Sequence, residues 1–176
     1  MSEDKILIDA LATSLKMEEE GYKFYIGAKE KSVDKYGKNI FQALAEDEKR
    51  HIDAIRKYSN SFIKSKKTPA LTTVMPEHQS INKRVIFGKS SKEMLKDISS
   101  NTDQIKAYEI GMKMETDGYN FYKKAEQSVK DINARELYKF LMSEEKLHYK
   151  LIADTYEYIK NPEEVFLRSE KPIIEG

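Results

Sequence analysis

Residues 16–60 of this chain recur at 113–157 without a gap, at a constant offset of 97. Of the 45 paired positions 14 are identical, where ordinary composition gives roughly three. The longest block sets Lys16-Met17-Glu18-Glu19-Glu20-Gly21-Tyr22-Lys23-Phe24-Tyr25 over Lys113-Met114-Glu115-Thr116-Asp117-Gly118-Tyr119-Asn120-Phe121-Tyr122. A second sets Glu48-Lys49-Arg50-His51 over Glu145-Lys146-Leu147-His148. A duplication of this kind predicts two copies of one supersecondary unit whose apolar sides cover each other.

Each copy reads as two helices. Leu11, Leu15, Glu18, Tyr22 and Tyr25 form one helical stripe, and Tyr108, Met112, Glu115, Tyr119 and Tyr122 repeat its steps. Ile40, Leu44, Glu48, His51 and Ile55 form another, matched by Leu137, Leu141, Glu145, His148 and Ile152. The spacing predicts helices near 4–31, 36–62, 103–129 and 133–160. Short turns at Asp34-Lys35-Tyr36-Gly37 and Lys130-Asp131-Ile132-Asn133 make each pair an antiparallel hairpin. Pro162 cannot continue the last helix and marks its stop.

The expected fold is therefore all-α: a single-domain four-helix bundle over 1–176, from hairpins 4–62 and 103–160, a crossover linker 63–102 and a tail 161–176. Pro69, Pro76, Gly88 and several serines argue against one continuous helix in the linker. Ser90 with Glu93 reads as a capping box opening a short helix through Ile98. A linker of this length can span a helix of about 40 Å. The second and third helices can then run parallel. It can also hand one hairpin to a second chain, so a homodimer is expected, with exchanged or unexchanged hairpins.

Composition narrows the partners. Lys+Arg (31) balance Asp+Glu (30), which gives no electrostatic case for nucleic acid or an anionic membrane. The linker holds eight basic residues against three acidic ones, but no nucleic-acid motif accompanies them, so it reads as a solvated loop. No apolar run approaches the ~18–20 residues of a membrane helix. Met1 to Lys5 shows no apolar signal core, and the chain has no cysteine, so a reducing cytoplasm is the expected location.

Chemistry enters where the stripes carry the wrong residues. Glu18, Glu48, Glu115 and Glu145 lie on apolar stripes, as do His51 and His148. A buried carboxylate without a partner costs several kcal/mol, and four that converge also repel one another. No Arg or Lys occupies the stripe positions, whereas two divalent cations would neutralise four carboxylates. In Glu-x-x-His the two side chains share one helix face, so both reach one metal. Both copies of that motif stand 30 residues after a stripe Glu. Oxygen ligands with imidazole suit Fe, Mn or Zn, and the pattern does not choose among them.

Two Glu-x-x-His motifs with a Glu from each remaining helix are the pattern of ferritin-like di-metal carboxylate proteins. Over nearly its whole length the chain resembles the rubrerythrin-like branch of that superfamily. The carrying residues are Glu18 with Tyr25, Glu48-x-x-His51, Glu115 with Tyr122 and Glu145-x-x-His148. The end of the chain, from Asn161-Pro162-Glu163-Glu164-Val165-Phe166 to Gly176, also looks like the tail of short members. The resemblance implies a di-iron centre, often in a dimer, that reduces hydrogen peroxide or dioxygen and protects against oxidative stress. Two features depart from it. Gly118 stands where rubrerythrin proper has a second Glu, and without cysteine these residues hold no rubredoxin-like iron.

Electrons for repeated turnover would then come from an external donor protein. The alternative functions are iron oxidation for storage or transfer, and a metal-stabilised scaffold without catalysis. Tyr25 and Tyr122 fit two roles equally: hydrogen bonding to a ligand carboxylate, or core packing. Glu19, Glu20 and Asp117 fall off the stripe and read as a solvated face. Glu144 is expected to face outward, and His78 to sit in a surface loop.

Overall fold

The computed structural model describes residues 2–75 and 102–161. They form α1 (Glu3–Lys31), α2 (Lys35–Ser65), a single turn α3 (Leu71–Val74), α4 (Thr102–Ser128) and α5 (Ile132–Lys160), with no strand among the described residues. All four expected helices are present. The largest boundary difference is at the end of α2, which runs three residues further, to Ser65. The turn at α3 lies in the segment read as irregular. The Ser90–Ile98 helix, His78 and the tail from Pro162 lie outside the described residues.

The two hairpin turns are tighter than expected because an aspartate restarts each helix at once. Asp34 Oδ1 accepts from Gly37 N at 2.7 Å, and Asp131 Oδ1, its repeat mate, accepts from Ala134 N at 2.8 Å. Each supplies a first-turn N–H with the acceptor that the helix itself cannot offer. Lys66 closes α2 in the left-handed conformation, φ 55°, with its N–H returned to Phe62 O.

α1 pairs antiparallel with α2, and α4 with α5. Phe41 stacks on Tyr108 at 4.9 Å between ring centres, and further along Glu48 meets Glu115, so α2 and α4 advance in the same direction, as expected. Gln104 ties the hairpins together by donating to Asp34 Oδ2 at 2.8 Å. It crosses Gly37 so closely that a Cβ there would lie 2.2 Å from its Nε2.

Two apolar clusters fill the bundle. One gathers Leu11, Ile55, Tyr58, Leu137, Tyr138 and Leu141; the other gathers Ile40, Phe41, Leu44, Tyr108 and Ile152. Each fully buried aliphatic or aromatic side chain contributes about 1.5–3 kcal/mol, which offsets the cost of a charged centre. No described helix is long and apolar enough to cross a membrane. The architecture is an all-α ferritin-like bundle.

The stripes of α2 and α5 are buried as read, but those of α1 and α4 are shifted. In α1 the inward residues are Leu7, Leu11, Ser14, Glu18, Gly21, Tyr25 and Ala28. Leu15 and Tyr22 are half-buried beside them. In α4, Gly111 and Gly118 take the inward places expected for Met112 and Tyr119. Small residues stand there because the facing carboxylates and rings need the room.

Candidate metal centre

All six expected residues meet at mid-bundle. Glu18, Glu48, Glu115 and Glu145 are at most 5% exposed, and His51 and His148 are fully buried. His51 Nδ1 lies 3.1 Å from Glu18 Oε2 and 4.0 Å from Glu48 Oε2. His148 Nδ1 lies 3.4 Å from Glu115 Oε2 and 3.6 Å from Glu48 Oε1. The imidazoles stack 5.7 Å apart, at an interplanar angle of 22°. Among the six, one oxygen or nitrogen of each residue falls within 4.8 Å of the others in two groups, Glu18–Glu48–His51 and Glu48–Glu115–His148; a third group joins His148 to Asp47 and Glu144. Glu48 belongs to the first two. Glu145 stands against Glu115.

Both tyrosines that fitted two roles bond to carboxylates. Tyr25 donates to Glu115 Oε1 and Tyr122 donates to Glu18 Oε1, each across the two hairpins. Burial, together with the carboxylates around them, pushes both phenols well above their ordinary range, so they stay protonated donors.

The outward placement of Glu144 is corrected. Its side chain is buried, and Oε2 lies 3.7 Å from His51 Nε2. Asp47, its repeat mate, was not singled out; it is fully buried with Oδ2 3.4 Å from His148 Nε2. Each residue preceding a Glu-x-x-His motif thus backs the histidine of the other copy. A carboxylate behind an imidazole fixes the ring and strengthens it as a ligand. Arg50, at the rim, pairs with Asp47. Duplication of an acidic residue at these paired positions was the available signal. Glu19 is held by Arg56 at 2.8 Å, while Glu20 and Asp117 are exposed.

Proton distribution follows from the same geometry. Burial works against ionisation of Glu18, yet His51 and the hydrogen bonds it receives hold its carboxyl down at about 2. Glu115 is lowered in the same way: burial opposes its ionisation, and His148 outweighs that. Burial and the charges of Glu18 and Glu115 push Glu48 and Glu145 well above the usual carboxylate range. For His51 and His148, burial disfavours the charge, but Glu18 and Glu115 overcome it and raise both. Without metal, the geometry favours the protonated form of Glu48 and Glu145, and of His51 and His148 beside Glu18 and Glu115.

The residues fit a metal pair. His148 Nδ1 and Glu115 Oε2 are buried, face each other and make no hydrogen bond within the described residues. Glu115 Oε2 is a donor to a cation as it stands, and His148 Nδ1 becomes one when it gives up its proton. Carboxylate oxygens with one imidazole nitrogen in each group suit iron, manganese or zinc.

A cavity of about 220 Å³ lies over the carboxylates, floored by Glu18, Glu48, Glu115 and Glu145 and flanked by Tyr25 and Tyr122. Gly21 and Gly118, which also line it, leave it open. A Cβ on Gly21 would stand 3.2 Å from Glu48 Cδ, and one on Gly118 would stand 3.0 Å from Glu145 Cδ. Gly118, where the sequence departs from rubrerythrin proper, is therefore part of the opening.

The family model described as Rubrerythrin matches residues 9–156. Neither the curated proteins nor the solved structures include a match. The matched residues contain most of both hairpins and all six Glu and His of the centre, whose paired carboxylates and imidazoles suit a di-iron site; the chain belongs to the rubrerythrin family.

Proposed function

We propose that the protein is a non-haem di-iron oxidoreductase that reduces hydrogen peroxide or dioxygen with electrons from an external donor protein. One observation carries the reading: the cavity opens directly onto the four carboxylates, so a small molecule can reach the centre without the helices parting. Glu18, Glu48 and His51 would hold one iron, and Glu48, Glu115 and His148 the other, with Glu145 as the second carboxylate between the two halves. Bound there, the irons supply the two electrons that turn one hydrogen peroxide and two protons into two waters.

The chain's own residues keep that geometry. Tyr25 and Tyr122 hold one oxygen of Glu115 and of Glu18, leaving the other oxygen of each for metal. Glu144 and Asp47 stand behind the imidazoles, within a small shift of accepting the outer ring N–H of each. Gly21 and Gly118 keep the approach clear, and the apolar clusters pack the bundle on either side of the centre.

Repeated turnover needs re-reduction, and these residues offer neither cysteine for an iron–sulfur relay nor a nucleotide-binding fingerprint. A donor protein would dock through a small, weak interface of the electron-transfer kind. The test is stopped-flow mixing of the reduced, iron-loaded protein with peroxide and, separately, with dioxygen. One rapid consumption per iron pair, then a stall that a rubredoxin-type donor with its reductase relieves, is the expected result. Sustained turnover with NAD(P)H and the purified protein alone would refute the need for a donor. Oxidation of many Fe(II) per centre would favour iron handling instead. No consumption of either oxidant by the loaded protein would leave the scaffold reading.

A further inference from the structure

The four central carboxylates are at most 5% exposed, so a cation from bulk water needs a way in. The cavity reaches all four, while neither histidine lines it. An ion taking this path meets carboxylate oxygen first and imidazole last. Glu20 and Asp117 stand at its opening, exposed, on α1 and α4. They are repeat mates, and so are Gly21 and Gly118 beside them, so the opening carries the duplication of the centre itself. Glu115 Oε2, buried and without a hydrogen bond, belongs to the cavity floor below them.

We propose that this opening is the uptake route for divalent cations, in which Glu20 and Asp117 take the ion from solvent and pass it to the buried carboxylates. Each is paired with the lysine one turn before it. Lys16 lies 3.8 Å from Glu20, and Lys113 lies 2.5 Å from Asp117. Both lysines are 76% exposed, in pairs of the kind that add little stability in water. A doubly charged ion displaces such a lysine readily, and the lysine returns once the ion has moved inward. The pairs therefore offset the charge of the two carboxylates at the opening until a cation takes the lysine's place. Hydrogen peroxide is neutral and is indifferent to that charge.

The route rests on the metal reading of the centre but not on its redox chemistry. Uptake of Co(II) by the metal-free protein is followed by stopped-flow absorbance at several salt concentrations. The proteins are the wild type, a Glu20→Gln/Asp117→Asn variant and a Lys16→Gln/Lys113→Gln variant. At low salt the first variant should load about tenfold more slowly and the second faster, with all three rates converging at high salt. Final stoichiometry should stay at that of the wild type, and peroxide consumption by the iron-loaded acidic-site variant should be unchanged. Equal low-salt rates in all three proteins would overturn the route while leaving the metal centre standing. A fall in stoichiometry would instead make Glu20 and Asp117 ligands and also overturn it. A wild-type protein that takes up no Co(II) would remove the metal reading and the route together.

Discussion

The Tyr122 phenol on the second hairpin donates to the Glu18 carboxylate on the first, and Tyr25 returns the bond to Glu115. Each hairpin thus holds a buried charge that belongs to the other. Tyr122→Phe removes the donor and keeps the ring stacked 6.0 Å from Tyr138. A buried hydrogen bond to a charged group contributes about 1.5–3 kcal/mol, so urea unfolding of the metal-free variant should show a loss of that size. Metal affinity should fall about 10–100-fold, the usual effect of losing a group that orients a ligand. Tyr25→Phe should behave alike.

Glu48 belongs to two of the three groups of side chains placed to hold a metal, whereas Glu145 falls in none. Elemental analysis of Glu48→Ala should therefore show loss of both metals, and Glu145→Ala should retain more. The double variant should bind none. Metal content equal to wild type in the double variant would remove these carboxylates from the ligand set.

The pH dependence of the metal-free protein follows from the shifted groups. Glu48 and Glu145 have raised folded values, so their contribution is present below the ordinary 4.5 and is lost as pH rises through those values. His51 and His148 are raised as well, and their contribution is lost above 6.5. Glu18 and Glu115 are lowered, so their contribution is present above 4.5 and lost as pH falls, for Glu18 through about 2. These six groups place the stability maximum near the ordinary carboxylate value of 4.5. Thermal unfolding should show the metal-free protein weakening from there toward alkaline pH. Metal displaces the same protons, so affinity should rise with pH over the same range. Calorimetry in buffers of different ionisation enthalpy should detect the released protons.

Gly118→Ala places a methyl 3.0 Å from Glu145 Cδ, and Gly21→Ala one at 3.2 Å from Glu48 Cδ. The carboxyl group must move in each case. Alanine gains about 1 kcal/mol over glycine within a helix, so folding should be little affected. Slower peroxide consumption and weaker Co(II) binding are expected in both variants, more so in Gly118→Ala. Unchanged kinetics would show that the cavity is not the path to the centre.

We also propose a homodimer, because the crossover can close onto its own hairpin or reach a second chain. Light scattering at high micromolar concentration should give twice the chain mass of 20.5 kDa. A single-chain mass would refute it.

The sequence by itself determined the duplication, the four long helices and the six central Glu and His. Periodicity near 3.6 residues and an ungapped repeat are local properties, and a carboxylate on an apolar stripe is conspicuous wherever the chain folds. It did not reveal Glu144 and Asp47. Each lies about 100° around the helix from its neighbouring ligand, at the edge of the stripe, and such an edge is buried only where another helix covers it. Here α2 and α5 cover each other, which brings Glu144 to His51 and Asp47 to His148. Glycine hid the cavity in a similar way: Gly21 and Gly118 add no apolar signal to a stripe, yet point inward because Glu48 and Glu145 need that space. The choice between two roles for Tyr25 and Tyr122 also waited on the tertiary structure. Their acceptors lie 90 and 104 residues away, and only the packing of one hairpin on the other brings phenol and carboxylate within bonding distance.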